Sequence, residues 1–168
     1  MFCGLCGKGL NQTFGEEAVV SKLVHVFALA LALSFGVCAY AQTNSPAGLW
    51  RTVDDKTAKE RSLIRIADNN GVYEGKVEKI FEQPGDDPQH LCRKCDGERK
   101  DKPIVGMTIL WGLKKDGDQY TGGEILDAKE GKIYRCKMKV VEGGKKLEVR
   151  GFIGVSLFGR SQTWVREE

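Results

Sequence analysis

From Gly48 onward, no window sustains a helical period, and short apolar runs alternate with clusters of turn residues. A chain patterned this way folds as sheet, because its apolar positions repeat with the strand period and its breaks fall too often for helices. Turns are expected at Asp68-Asn69-Asn70-Gly71 and over residues 114–118, 128–131 and 142–145. Asn-Gly in the first of these accepts the positive φ of a tight hairpin. The runs between and around them, at 48–53, 61–67, 72–82, 104–110, 119–127, 132–141, 146–153 and 157–166, predict eight strands joined mostly by hairpins. Consecutive hairpins make an up-and-down meander. Eight strands can close on themselves, which removes the exposed sheet edges. The expected fold is therefore all-β: an eight-stranded antiparallel up-and-down barrel, filled by side chains or holding one small ligand.

The stretch 101–114, D-K-P-I-V-G-M-T-I-L-W-G-L-K, is the longest apolar run outside the N-terminus and reads as a central strand. Pro103 can open it but not sit inside it, having no N–H for the ladder. Alternation from Ile104 puts Val105, Met107, Ile109 and Trp111 on one face, the larger and more apolar one. Ile104, Gly106, Thr108 and Leu110 fall on the other. The sixth run alternates cleanly, with Tyr134, Cys136, Met138 and Val140 inward and Arg135, Lys137 and Lys139 outward. Candidate ligand-lining residues are accordingly Met107, Ile109, Trp111, Tyr134 and Met138.

Lys22, the apolar stretch 23–37 and the small-residue site Ala39-Tyr40-Ala41 read as a secretory signal peptide. Residues 1–18 precede it as an N-terminal extension. The domain plan is thus 1–41 for extension and signal peptide, and 42–168 for a single barrel. Export implies the periplasm or the exterior and leaves no membrane span after cleavage. A net charge of +3 is too small to argue for nucleic acid or an anionic membrane as a partner.

Cleavage after Ala41 leaves Cys92, Cys95 and Cys136. In an oxidising compartment Cys92-x-x-Cys95 admits a disulfide within its long polar loop, a redox pair, or part of a metal site. Cys136 is an alternative bonding partner or a buried free thiol. Redox pairs of this spacing sit at a helix start, which this sequence lacks. Only His90 and Cys136 could complete a metal site, so no metal and no cofactor are expected. No G-x-S-x-G, H-E-x-x-H or phosphate-binding glycine loop is present, and no catalytic constellation is recognised.

Gly48-x-Trp50 opening the first strand, with Arg160 and Arg166 in the last, resembles the lipocalin-type (calycin) barrels. In those, a first-strand Trp packs under an Arg from near the chain end. The resemblance implies a barrel-closing lock among Trp50, Arg160, Trp164 and Arg166. The combination of G-L-W-R-T, L-C-R-K-C-D-G-E-R-K-D-K-P-I-V-G-M-T-I-L-W-G-L and G-R-S-Q-T-W-V-R resembles the bacterial exported family named domain of unknown function 2147. That similarity runs over about residues 47–166 and implies a lipocalin-like barrel without an established activity. The function expected is binding of a small hydrophobic or amphipathic ligand. The alternatives are a filled barrel acting as an envelope interaction module and a thiol-dependent redox protein. Cleavage after Ala41 makes Gln42 the expected first residue of the exported protein. N-terminal sequencing that finds residues upstream of Gln42 on the exported protein would refute the cleavage site.

Overall fold

The computed structural model describes residues 44–167. The extension, the signal peptide and its cleavage site therefore lie outside the described residues. Eight strands form one closed antiparallel barrel in sequence order. They are β1 (Gly48–Val53), β2 (Glu60–Asn69), β3 (Val72–Ile80), β4 (Thr108–Asp116), β5 (Gln119–Asp127), β6 (Lys132–Val141), β7 (Lys146–Phe152) and β8 (Gly159–Arg166). Tight turns join β2 to β3, β4 to β5 and β6 to β7 at one end. The longer connections 54–59, 81–107, 128–131 and 153–158 gather at the other, because successive strands run in opposite directions.

Alternation decides what is buried. Trp50, Ile64, Ile66, Tyr73, Val77, Leu110, Leu113, Tyr120, Cys136, Met138, Leu147, Val149 and Trp164 form one core cluster inside the barrel. The inward face of β6 is the one its sequence predicts. The second face of β4 departs from expectation. The strand begins at Thr108, not Ile104, and Ile104 to Met107 form a turn closed by the Met107 N–H on the Ile104 carbonyl at 3.0 Å. Gly106 sits there at φ 87°, a conformation that costs a side-chain-bearing residue free energy. Its N–H donates to the Val77 carbonyl at 2.7 Å, so the turn is pinned to β3. Pro103 forms an isolated bridge with Leu91 instead of opening a strand.

Closure rests on a short seam. β1 meets β8 through only two residue pairs, Trp50 with Arg166 and Arg51 with Val165. Side chains supply what the short ladder lacks. The Arg166 guanidinium lies over the Trp50 ring, 4.1 Å from its centroid. It donates to the carbonyls of Ala47 at 2.9 Å, Ser45 at 2.7 Å and Gly144. Trp50 in turn donates its indole N–H to the Pro46 carbonyl at 2.7 Å. Tyr73 and Tyr120 meet edge to face at 4.9 Å, and the Tyr120 hydroxyl donates to the Asn44 carbonyl at 3.2 Å. The segment 44–47 is thereby strapped across the tight-turn end, which is packed shut. Burial pushes the Arg166 pKa down, and the carbonyl oxygens and ring face compensate the cation it retains.

Arg166→Met keeps much of the volume but leaves three part-buried carbonyls without their donor and removes the cation–π contact. It should lower unfolding free energy by about 2–4 kcal/mol, seen as a reduced denaturant midpoint at constant slope. A midpoint equal to or above that of the parent would contradict this account of the seam.

Candidate functional site

The loop end is hollow. A cavity of about 840 Å³ opens there, within the range of small-molecule pockets. Its walls are the mouth-side halves of the strands: Val77 and Ile80 from β3, Ile109 from β4, Ile125 from β5, Tyr134 from β6 and Val149 from β7. Trp164 lies deepest. Its indole N–H donates to Gln162 Oε1 at 3.2 Å, which leaves the Gln162 amide as a polar group inside an apolar wall. Thr52 and Ser62 share a 2.7 Å hydroxyl pair on the neighbouring wall formed by β1 and β2.

Charge lies at the rim, and three arginines there are paired with carboxylates. Arg61 donates to Asp86 at 3.2 Å, Arg93 to Asp87 at 2.7 Å, and Arg160 to Asp55 at 3.0 Å. Burial pushes the Asp86 carboxyl up, but hydrogen bonds from Arg61 and from the Gln83 N–H together outweigh it and hold the group below the usual range. Asp87 is held low by the Arg93 side chain and the Gln89 N–H. His90 lies on the same rim, 3.4 Å from Glu82.

The long connection 81–107 is clamped to the outside of the barrel. Cys92 and Cys95 are disulfide-bonded and buried, and they pack on Leu126 with Met107, Ile109, Trp111 and Ala128 around them. Arg99 stacks over the Trp111 ring at 4.8 Å, and Trp111 donates to Glu124 at 3.0 Å. Lys94 pairs with Glu130 at 3.0 Å. Gly131 completes the clamp: a Cβ there would lie 1.9 Å from the Lys94 carbonyl oxygen. Only glycine lets the β5–β6 turn approach this closely.

The predicted residues therefore separate. Ile109 and Tyr134 line the cavity. Met138 is buried in the core cluster and does not reach the cavity wall. Met107 and Trp111 do not line it either; both lie in the separate cluster under the disulfide loop. The reason is register. Pairing shifts between Gly75 and Lys76 opposite Leu110 and Thr108, which brings Ile109 in beside buried Leu110 and leaves Trp111 across from exposed Glu124 on the outer face. The lock also divides. Trp50 and Arg166 form it, whereas Trp164 forms the cavity floor. Arg160 lies six residues before Arg166 in β8, about 20 Å nearer the mouth at the rise of a strand. Ile125, Val149 and Gln162 were not anticipated as lining. The inward parity of Trp164 and Arg166 along β8 was the available signal for Gln162.

Cys136 is a buried free thiol, and desolvation pushes its pKa up to about 12. Both disulfide sulfurs belong to residues that are fully or almost fully buried, which closes the route for thiol exchange and gives the bond a structural role.

The family described as an uncharacterized protein conserved in bacteria, DUF2147, matches residues 48–166. The chain belongs to this family. That span contains all eight strands, so what is observed here is the barrel of a DUF2147 protein. No curated protein matches the chain. Among solved structures it is similar to protein HP1028 from the human pathogen Helicobacter pylori, described as belonging to the lipocalin family. The two share 19% identity and a TM-score of 0.63, with 75% of this chain and 85% of that chain covered. The likeness establishes a lipocalin-like fold for this DUF2147 barrel.

The raised thiol pKa has a consequence for stability. Folding keeps the Cys136 proton that the unfolded chain loses near its ordinary value of 9.0, so the folded state binds more protons above that pH. Stability should be unaffected by this group below about pH 9 and should fall as pH rises toward about 12. Cys136→Ala should flatten that alkaline decline in denaturant titrations. An equally steep decline in the variant would exclude Cys136 as its source.

Proposed function

We propose that this DUF2147 protein is an exported binding protein that carries one small, largely apolar ligand in the mouth of its barrel. The observation that carries the reading is the contrast between the two ends. One is strapped shut by segment 44–47 and Arg166, and the other opens on a cavity of about 840 Å³ with largely apolar walls below a charged rim. Burial of a ligand's apolar surface against Val77, Ile80, Ile109, Ile125 and Val149 would supply most of the affinity. The Gln162 amide, Tyr134 and the Thr52–Ser62 hydroxyl pair would orient a polar group among the apolar side chains. Paired rim charges make no concentrated field, so the ligand's charge is not the principal selector.

Export rests on the signal peptide read from residues 19–41. The filled-barrel reading is not favoured by a cavity of this size. The redox reading finds no support in a disulfide buried under its own loop.

Gly151 tests the assignment. It lines the cavity, and a Cβ there would meet Ile125 and Tyr134 at ordinary contact distances of 3.4 and 3.5 Å. Gly151→Phe should project a ring into the cavity and weaken binding of a dansylated fatty acid at least tenfold, with thermal melting confirming the fold. Equal affinity in the folded variant would sink the proposal that this cavity is the binding site.

A further inference from the structure

Seven large apolar residues stand exposed among the described residues, and four of them fall in one six-residue stretch, the β7–β8 loop. Ile153 is 69% exposed, Val155 61%, Leu157 80% and Phe158 72%. Ile133, on the outward face of β6 next to this loop, is 46% exposed. Isolated exposed apolar side chains are ordinary, but a contiguous apolar tip marks a surface that something covers.

The tip is built to leave water. Its backbone acceptors are already capped from within. Arg150 donates to the Ser156 carbonyl at 2.7 Å and to the Leu157 carbonyl at 3.1 Å. Arg135 reaches the Gly154 carbonyl at 3.4 Å, and the Phe158 N–H closes on Val155 at 3.1 Å. Capped carbonyls lower the cost of moving this backbone into a low-dielectric layer.

The same arginines belong to a basic patch whose cations form no ion pair among the described residues. Lys137 and Arg150 are direct cross-strand partners on β6 and β7, an arrangement of like charges that costs stability. Arg135 stands two residues from Lys137 on the same outward face. None of the ion pairs among the described residues includes Arg135, Lys137 or Arg150. Glu124 faces Arg135 across the β5–β6 pair, where its carboxylate also accepts the Trp111 indole N–H, and Glu148 stands two residues from Arg150 opposite Lys139, so acidic groups border the patch only on the side away from the tip. Residues 149–165 contain no Asp or Glu.

We propose that the mouth end of the barrel docks on a lipid bilayer that carries anionic headgroups. Val155, Leu157 and Phe158 enter the interfacial layer, while Arg135, Lys137 and Arg150 face the phosphates. Apolar tip and flanking cations together are the chemistry of interfacial binding. An extended acidic protein segment is the poorer fit, because the tip's carbonyls are capped and offer little to a hydrogen-bonding partner. Ile153 and Phe158 also line the cavity, so the docked tip would be continuous with its wall. The docking goes beyond ligand carriage and holds whether or not the cavity is occupied.

The test is sedimentation of the full chain with vesicles of phosphatidylcholine, with and without phosphatidylglycerol. The comparison is among the parent protein, Leu157→Asp combined with Phe158→Asp, and Lys137→Gln. Every protein compared carries the same N-terminal residues, so differences report the loop and the patch. Binding to the mixed vesicles should fall at least tenfold in the double variant and about fivefold in Lys137→Gln. Added salt should weaken the parent's binding. Both tip side chains are mostly exposed, so the variants should melt with the parent. Equal partitioning of parent and double variant would overturn the docking. Equal, salt-independent binding to pure phosphatidylcholine would overturn the anionic headgroup. Retention on an acidic polypeptide with none on vesicles would replace the bilayer by a protein partner.

Discussion

Everything in this barrel depends on closing β8 onto β1 across two residue pairs. A ladder that short supplies few hydrogen bonds; the Glu167 N–H on the Leu49 carbonyl and the Arg51–Glu167 pair extend it, and Arg166 stacks on Trp50 and gathers carbonyls from both sides of it. One cation thus does the work of several backbone bonds. It does so where desolvation makes each polar contact strong and each missing contact costly. Because the same guanidinium holds segment 44–47 across the tight-turn end, closure of the sheet and plugging of that end are one event.

The hollow end follows from the plugged one. Large side chains, among them Trp50, Tyr73, Tyr120, Leu113, Leu147 and Met138, fill the closed end. Toward the mouth the inward positions become smaller or polar: Thr52, Ser62, Gly151 and Gln162. Eight strands leave an interior just wide enough to be filled or to hold one ligand. Here the side-chain gradient along the barrel axis chooses filling at one end and a cavity at the other. The disulfide loop contributes differently. It packs outside the wall, against Leu126 and Trp111, and so fixes the rim without occupying the cavity.

Strand number, closure, and the inward face of β6 were legible in the sequence because alternation and turn chemistry are local. The Trp50–Arg166 contact was reachable through resemblance to lipocalin-type barrels, although resemblance alone did not separate Arg166 from Arg160. What separates them is depth along β8, a tertiary quantity. Met107 and Trp111 were misplaced because alternation was carried through from Ile104, whereas the strand starts at Thr108 and the shift opposite Gly75 resets the face. The loop also gave β4 a second, outer buried surface, which made both of its faces apolar. The exposed tip at 153–158 was invisible for the same reason: an apolar run ending in a strand reads as core until the hairpin shows it standing clear of the sheet.

The central claim is that the open end of the barrel holds a ligand. The most direct measurement is the mass of the exported protein, taken under native and then denaturing conditions. The account predicts a native species heavier than the bare chain, with the excess lost on denaturation and absent from the Gly151→Phe variant. A native mass equal to the bare chain, both as isolated and after incubation with a total lipid extract, would contradict it.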